Sequence, residues 1–409
     1  MTLNNVLEAL KIFEDPNHPL LGPNIYGLQT FGLLHHRNKY IRLFFKAFHM
    51  CSFVFVISQI IELYLMRNDF NKVLLNISVT ALSFIALCKT ISCLVLQSRL
   101  QKVIDDIRKE EQTLLILNNS FEIKLMKNYI NYTRLITYLY WLVVLITNIV
   151  TIIAPFVKYA TTSSYIEKIT NGTEPYPQIL SSWFPFDNNE MPGYVFATII
   201  HVLMTTQGAG VVAVYDTNAV AIMTFLKGQF IILKEKSRRI FGDKDDTLTK
   251  SEIFMRIKEC HRHHNYLEGL YSTFNSMISP VMYLYVLVCS INICCSVVQL
   301  NLDNVATSQK LWVLEFTLAL SIQLFLFCWH SNEIKVESDR ADRGVYESNW
   351  WKADPSERKQ LLLLAGKLAP SHIMNAGPFT ELSIPTFIDI MKGTYSFYTL
   401  FTQIQEKRQ

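Results

Sequence analysis

The stretch AGPFTELSIPTFIDIMKGTYSFYTLFTQI, Ala376 to Ile404, is long enough to cross a membrane as a helix, since about 20 residues at 1.5 Å each span the hydrocarbon core. It nevertheless carries Asp389, Lys392 and Gln403 among its apolar residues. A charge near the bilayer centre costs about 3 kcal/mol on insertion scales, so a helix surrounded by lipid has little use for them. The stretch therefore predicts a helix with one face on something wet, the lining of a pore or a site. Only five residues follow Ile404, so no folded tail is expected beyond it.

Composition places the rest of the chain in the same class. Half of the residues are hydrophobic and 18% are charged, against roughly 25% charged in soluble proteins. The apolar residues are gathered into runs that predict seven spanning helices: Phe44–Leu65, Val73–Gln97, Tyr132–Phe156, Tyr194–Phe225, Thr273–Leu300, Leu311–His330 and Pro378–Ile404. The expected fold is an all-α polytopic membrane protein of a single seven-helix unit over residues 1–409, with the first six spans in 44–330. Met1–Tyr40 has no apolar core flanked by small residues, so the first span is expected to act as its own targeting signal.

Lys and Arg set the expected orientation, because positive charge is retained on the cytoplasmic side. Segments on one side of the seven spans carry 28 of them and segments on the other carry 7. The N-terminus is therefore expected inside and the C-terminus outside. Asn171-Gly172-Thr173 falls in the largest outer loop, where glycosylation is expected, whereas sugar on Asn118 would reverse the orientation. All eight cysteines fall in spans or on the inner side, so no outer disulfide framework is expected; with the inverted orientation, this argues against a G-protein-coupled receptor.

The inner side holds too much sequence for simple turns. Residues 227–270 and 331–370 read as charged amphipathic helices projecting into an inner assembly, or anchor, domain. In the second segment Tyr346, Trp350, Leu361, Leu362 and Leu364 offer an apolar face, and such a face is usually buried against a partner. No P-loop, dinucleotide-binding or kinase motif occurs, so an enzyme is not expected, nor is a cofactor. His261, His263 and His264 with Cys260 crowd one helical turn, which does not space ligands around a metal ion. The run Lys234–Arg239 reads as a solvated positive-inside anchor near anionic lipid, without a nucleic-acid partner. Lys89, alone in the second span, reads as a structural lysine whose stem lets it snorkel to the inner interface.

The C-terminal third carries a family resemblance. Tyr346-x3-Trp350, Arg358, Leu361–Leu364, Pro370, Ala376-Gly377-Pro378-Phe379, Thr386-Phe387, Ile390-x-Lys392 and Tyr395-Ser396-Phe397 resemble the sixth-to-seventh helix signature of insect odorant receptors. Trp183-Phe184-Pro185-Phe186-Asp187 is similar to an outer-loop element of that family. Ser396-Phe397-x5-Gln403-Ile404 is similar to the Thr-Tyr-x5-Gln pattern shared with gustatory receptors, with Ser and Phe as departures.

The resemblance implies an odorant-gated, non-selective cation channel: a tetramer of seven-helix subunits in which a tuning subunit joins a shared co-receptor around one central pore. It also implies the plasma membrane of olfactory neuron cilia. The long inner-loop insertion of the co-receptor is missing, which points to a tuning subunit. A gustatory-type channel is the nearest alternative, and a transporter would require inverted repeats that the sequence does not display.

Residues 376–404 are expected to line the pore. Leu400 and Ile404 lie four apart on one helical face, either as ordinary packing or as an apolar constriction that closes by dewetting; the resemblance assigns them to the gate and Gln403 to the pore. Asp389 and Lys392 are three apart, as an intrahelical pair or as the walls of a wet vestibule. The resemblance places a pocket for a small volatile hydrophobic molecule in the outer halves of the second, third, fourth and sixth spans. The expected walls are Ile77, Ala81 and Phe84; Trp141, Leu145 and Asn148; Ile199 and Leu203; Trp312 and Phe316, with Asn148 or a nearby Thr taking a polar handle.

Overall fold

The computed structural model describes residues 14–68, 70–117, 119–161, 163–170, 175–242, 248–300 and 307–406. Each of the seven expected spans falls on a helix. In chain order these are α2 (Lys39–Leu65), α3 (Phe70–Val95), α5 (Ser120–Thr161), α7 (Gly193–Arg238), α8 (Lys250–Leu300), α9 (Thr307–Ser338) and α12 (Ile384–Glu406). Between and beside them lie α1 (Gly22–Thr30), α4 (Gln97–Leu117), α6 (Ser163–Thr170), α10 (Arg343–Glu347) and α11 (Pro355–Leu368). Among the described residues six helices are long and apolar enough to cross a membrane. The last helix, α12, carries Asp389, Lys392 and Gln403 among its apolar residues.

The long helices overrun the bilayer. At 1.5 Å per residue, the 46 residues of α7 and the 51 of α8 extend about 70 Å or more, against a hydrocarbon core of about 30 Å. The surplus lies at the end rich in Lys and Arg, where α10 packs on α7 and α11 packs on α8. Helix α7 forms the axis of the subunit, and every residue from Val211 to Leu226 is buried. A helix buried on all faces must be touched from all sides, and α1, α3, α5, α8 and α9 surround it. The approach of α1 explains a glycine: a Cβ at Gly210 would lie 1.9 Å from the Phe31 ring.

The expected start of the last helix needs correction. Residues 376–383 are not helical, since Asn375–Ala376 and Thr380–Glu381 pair as a two-residue antiparallel hairpin before α12 begins at Ile384. Gly377 turns the hairpin with a φ of 71°, a conformation that favours glycine, and Pro378 beside it has no N–H to continue a helix. Hydrogen bonds from Gly377 N–H to Ser279 Oγ (3.0 Å) and from Met374 N–H to Ser331 Oγ (3.0 Å) seat it on α8 and α9.

The inner end is knit by charge. The run Lys234–Arg239 is not a freely solvated anchor: Lys234 pairs with Glu347 at 3.1 Å, and Glu235 accepts from Arg238 at 2.7 Å and Arg239 at 2.5 Å. The amphipathic reading of 331–370 holds in part. Leu361 and Leu364 are buried under α11, whose start is fixed by an Asp354–Glu357 capping box. Tyr346, Trp350 and Leu362 remain exposed, Leu362 by 70%. Cys260, His263 and His264 are buried while His261 faces outward, so the four do not converge.

His263 supplies a pH test of this end. Burial, then the nearby Lys236 charge, pushes its imidazole down to about 3, and it contacts Gln229 Oε1 at 2.9 Å. Below pH 6.5 the unfolded chain takes up a proton that the folded chain refuses, so stability falls on acidification. The loss is about 2 kcal/mol at pH 5. His263→Gln lacks this penalty, and its melting temperature relative to the wild type is expected to improve between pH 7.5 and pH 5. A gap independent of pH would remove the assignment.

Candidate functional site

A lone acid in the fourth span organises the middle of the bundle. Asp216 on α7 is 3% exposed, and its Oδ1 lies 2.5 Å from the Lys89 ammonium of α3. Its Oδ2 accepts from the Tyr140 hydroxyl of α5 at 2.9 Å and from Gln323 Nε2 of α9 at 2.5 Å. Lys89 also stands 5.1 Å from the Tyr285 ring centre on α8 and 5.5 Å from that of Tyr215. Five helices thus meet on one neutralised pair. Lys89 does not snorkel: it is wholly buried, because its partner supplies the charge that the inner interface would otherwise have provided. Asp216 was not singled out in the sequence. A lone ionisable residue in an apolar span was the available signal, and asking for its opposite charge would have led to Lys89.

Tyr140 and Gln323 belong to the wall of a cavity of about 170 Å³ on the outer side of this pair. An engineered cavity of roughly 150 Å³ binds benzene, so the space suits a small organic molecule. Its wall is predominantly aliphatic and aromatic: Phe55 and Val56 from α2, Leu82 and Ala86 from α3, Val143 and Val144 from α5, Met204 and Val211 from α7, and Trp312 and Phe316 from α9. Leu180 of the outer loop adds a cover. The Trp183–Asp187 element holds that loop in place. The Trp183 N–H donates to Ser58 O at 3.2 Å, Ser182 Oγ meets His201 Nε2 at 2.7 Å, and Phe184 stacks on Phe186 at 5.0 Å.

The structure brings Asn148, Trp312 and Phe316 together as expected. The other expected wall residues do not border the cavity. Leu145, Ile199 and Leu203 point outward, each at least half exposed, and Phe84 is exposed as well. Ile77 and Ala81 lie beside lining positions Val79, Leu82 and Ser83. Trp141 turns to α7 instead and donates to Thr217 Oγ1 at 3.1 Å. The cavity draws on the expected helices α3, α5, α7 and α9, but not on several of the expected faces. The structure also adds α2, through His49, Ser52, Phe55 and Val56.

Helix α12 has two sides. Phe387, Ile390 and Met391 pack on the core and Thr394 is buried, with Phe325 and Phe387 edge to face at 5.4 Å. Asp389, Lys392, Ser396 and Gln403 are exposed and recur on the opposite side. Asp389 and Lys392 form no ion pair among the described residues. The side chains of Leu400 and Ile404, and all of Asn171, lie outside the described residues.

These features define an all-α polytopic membrane protein with a ligand-sized chamber inside the helix bundle and a polar-faced terminal helix. A family model described as 7tm Odorant receptor matches residues 69–395, and the chain belongs to the insect odorant receptor family. Its relatives are receptors rather than enzymes. Odorant receptor 82a of Drosophila melanogaster is 26% identical over 224 residues, 54% of this chain and 56% of that protein. Odorant receptor Or2 of Anopheles gambiae is 21% identical over 52% of this chain and 57% of its own length. The match thus spans little more than half of these relatives. In fold, the chain is similar to the insect olfactory receptor OR5 from Machilis hrabei in complex with eugenol, with a TM-score of 0.77 at 12% identity over 98% of both chains. A second structure of that receptor superposes with a TM-score of 0.74 at 13% identity, over 92% of this chain and 97% of its own.

Proposed function

We propose that this chain is the odorant-specific subunit of a cation channel, in which a small volatile molecule in the chamber opens a central pore lined by α12. The observation that carries the proposal is the two-sided last helix. One side is committed to α8 and α9, and the other presents Asp389, Lys392 and Gln403, which suit water and ions far better than lipid. On this reading four copies of the helix gather Leu400 and Ile404 into the gate with Gln403 beside it. The exposed, unpaired state of Asp389 and Lys392 favours the vestibule reading over the intrahelical pair.

Assembly is a heterotetramer with the shared co-receptor. Exposed Tyr346, Trp350, Trp351, Leu362 and Leu363 at the inner end supply the apolar surface that subunit contacts bury. The excess of Lys and Arg at that end supports a cytosolic inner side, with the N-terminus inside and the C-terminus outside, and membership of the family supports the plasma membrane of sensory cilia.

Co-expression with the co-receptor in oocytes, against an odorant panel that includes eugenol, tests this reading. Odorant-evoked cation current is expected, and Trp312→Ala should reorder the effective odorants. No evoked current would refute the channel, and an unchanged ranking would remove the chamber from the account.

A further inference from the structure

Among the described residues that line the chamber, one buried side-chain polar atom has no hydrogen-bond partner. Gln207 of α7 borders the cavity, is only 8% exposed, and its amide nitrogen is buried without a hydrogen-bond partner. Several other donors along the wall are engaged. Tyr140 and Gln323 donate to Asp216, Thr147 donates to Glu315 at 2.5 Å, Asn148 donates to Thr206 at 3.3 Å and Trp312 donates to Thr151 at 3.2 Å. A buried amide left without a partner is costly, and a half-turn of its terminal torsion lets the NH2 group face the chamber.

We infer that Gln207 is the specificity-determining donor of this chamber, and that the chamber takes small carbonyl-bearing volatiles in preference to hydrocarbons of the same shape. The inference rests on the chamber being the ligand site and adds the class of ligand. An apolar molecule would fill the space but leave the amide unpaired, whereas an acceptor oxygen ends its isolation. Neighbouring Gly208 leaves the room this requires, since a Cβ there would meet only Ala86 Cβ, at 4.0 Å.

Acetophenone and α-methylstyrene differ by a carbonyl oxygen against a methylene and form a matched pair of probes. Calorimetric titration of the full-length protein in lipid nanodiscs is expected to give acetophenone an affinity roughly ten-fold tighter, the discrimination that one hydrogen bond supplies. Gln207→Met, similar in length and lacking the donor, should erase that ratio by weakening acetophenone alone, and Gln207→Leu should do the same. Equal affinities in the wild type, no saturable binding of either probe, or a ratio that survives both substitutions would overturn the inference. Gly208→Leu separates this from failure of the site itself. It fills the chamber and should weaken both probes together, and unchanged binding of both would place their site elsewhere.

Discussion

Asp216→Ala is expected to destabilise the folded protein by about 3 to 5 kcal/mol, the loss that follows when one partner of a buried pair is removed. Lys89 has no second carboxylate among its described neighbours and no exposed surface, so its ammonium would stay in the bundle facing the Tyr215 and Tyr285 rings. Tyr140 and Gln323 would lose their acceptor at the same time. Folded domains are stable by only about 5 to 15 kcal/mol, so the variant should show little folded protein at the cell surface and a strongly lowered melting temperature in detergent. The double variant Lys89→Met with Asp216→Leu should recover most of the loss, because an apolar replacement of a whole pair is often close to neutral. Full surface expression and wild-type melting of Asp216→Ala alone would show that the pair does not hold these five helices together.

The same pair marks what the sequence could and could not reveal. Span positions were legible because hydrophobic runs of sufficient length have few other uses, and the overrun of α7 and α8 was legible in the charged amphipathic sequence that continues them. Which face of a span looks inward was far less legible. In a soluble helix the apolar side is the buried side, but lipid and bundle interior are both apolar, so Leu145 facing outward and Val144 facing the cavity carry the same signal. Small and polar residues were the better guide. Ser52, Ser83, Thr147, Asn148, Gln207 and Gly208 all border the chamber, and of these the expected wall names only Asn148, with a nearby Thr as its alternative. The start of α12 was misplaced for a different reason. Hydropathy continues smoothly from Ala376, while the break is made by the backbone of Gly377 and Pro378.

Replacing Leu400 or Ile404 with Ser is expected to produce a standing cation current without odorant when the chain is expressed with the co-receptor. On the proposed assembly these positions narrow the pore, and water leaves a narrow apolar ring readily because it gives up hydrogen bonds there without replacement. A hydroxyl returns those bonds, keeps the ring wet, and makes the resting current approach the odorant-evoked current of the wild type. Gln403→Ala tests the neighbouring position differently. On the same proposed assembly it removes a polar contact for hydrated ions from an exposed site on the same helix, so ion selectivity or conductance should change while the ranking of odorants stays fixed. On the proposed reading the ranking belongs to the chamber, whose described lining residues come from α2, α3, α5, α7, α9 and the outer loop and none from α12. Separate control of permeation and preference follows from that division. Unaltered resting and evoked currents in both serine variants, at wild-type surface expression, would move the gate away from these positions.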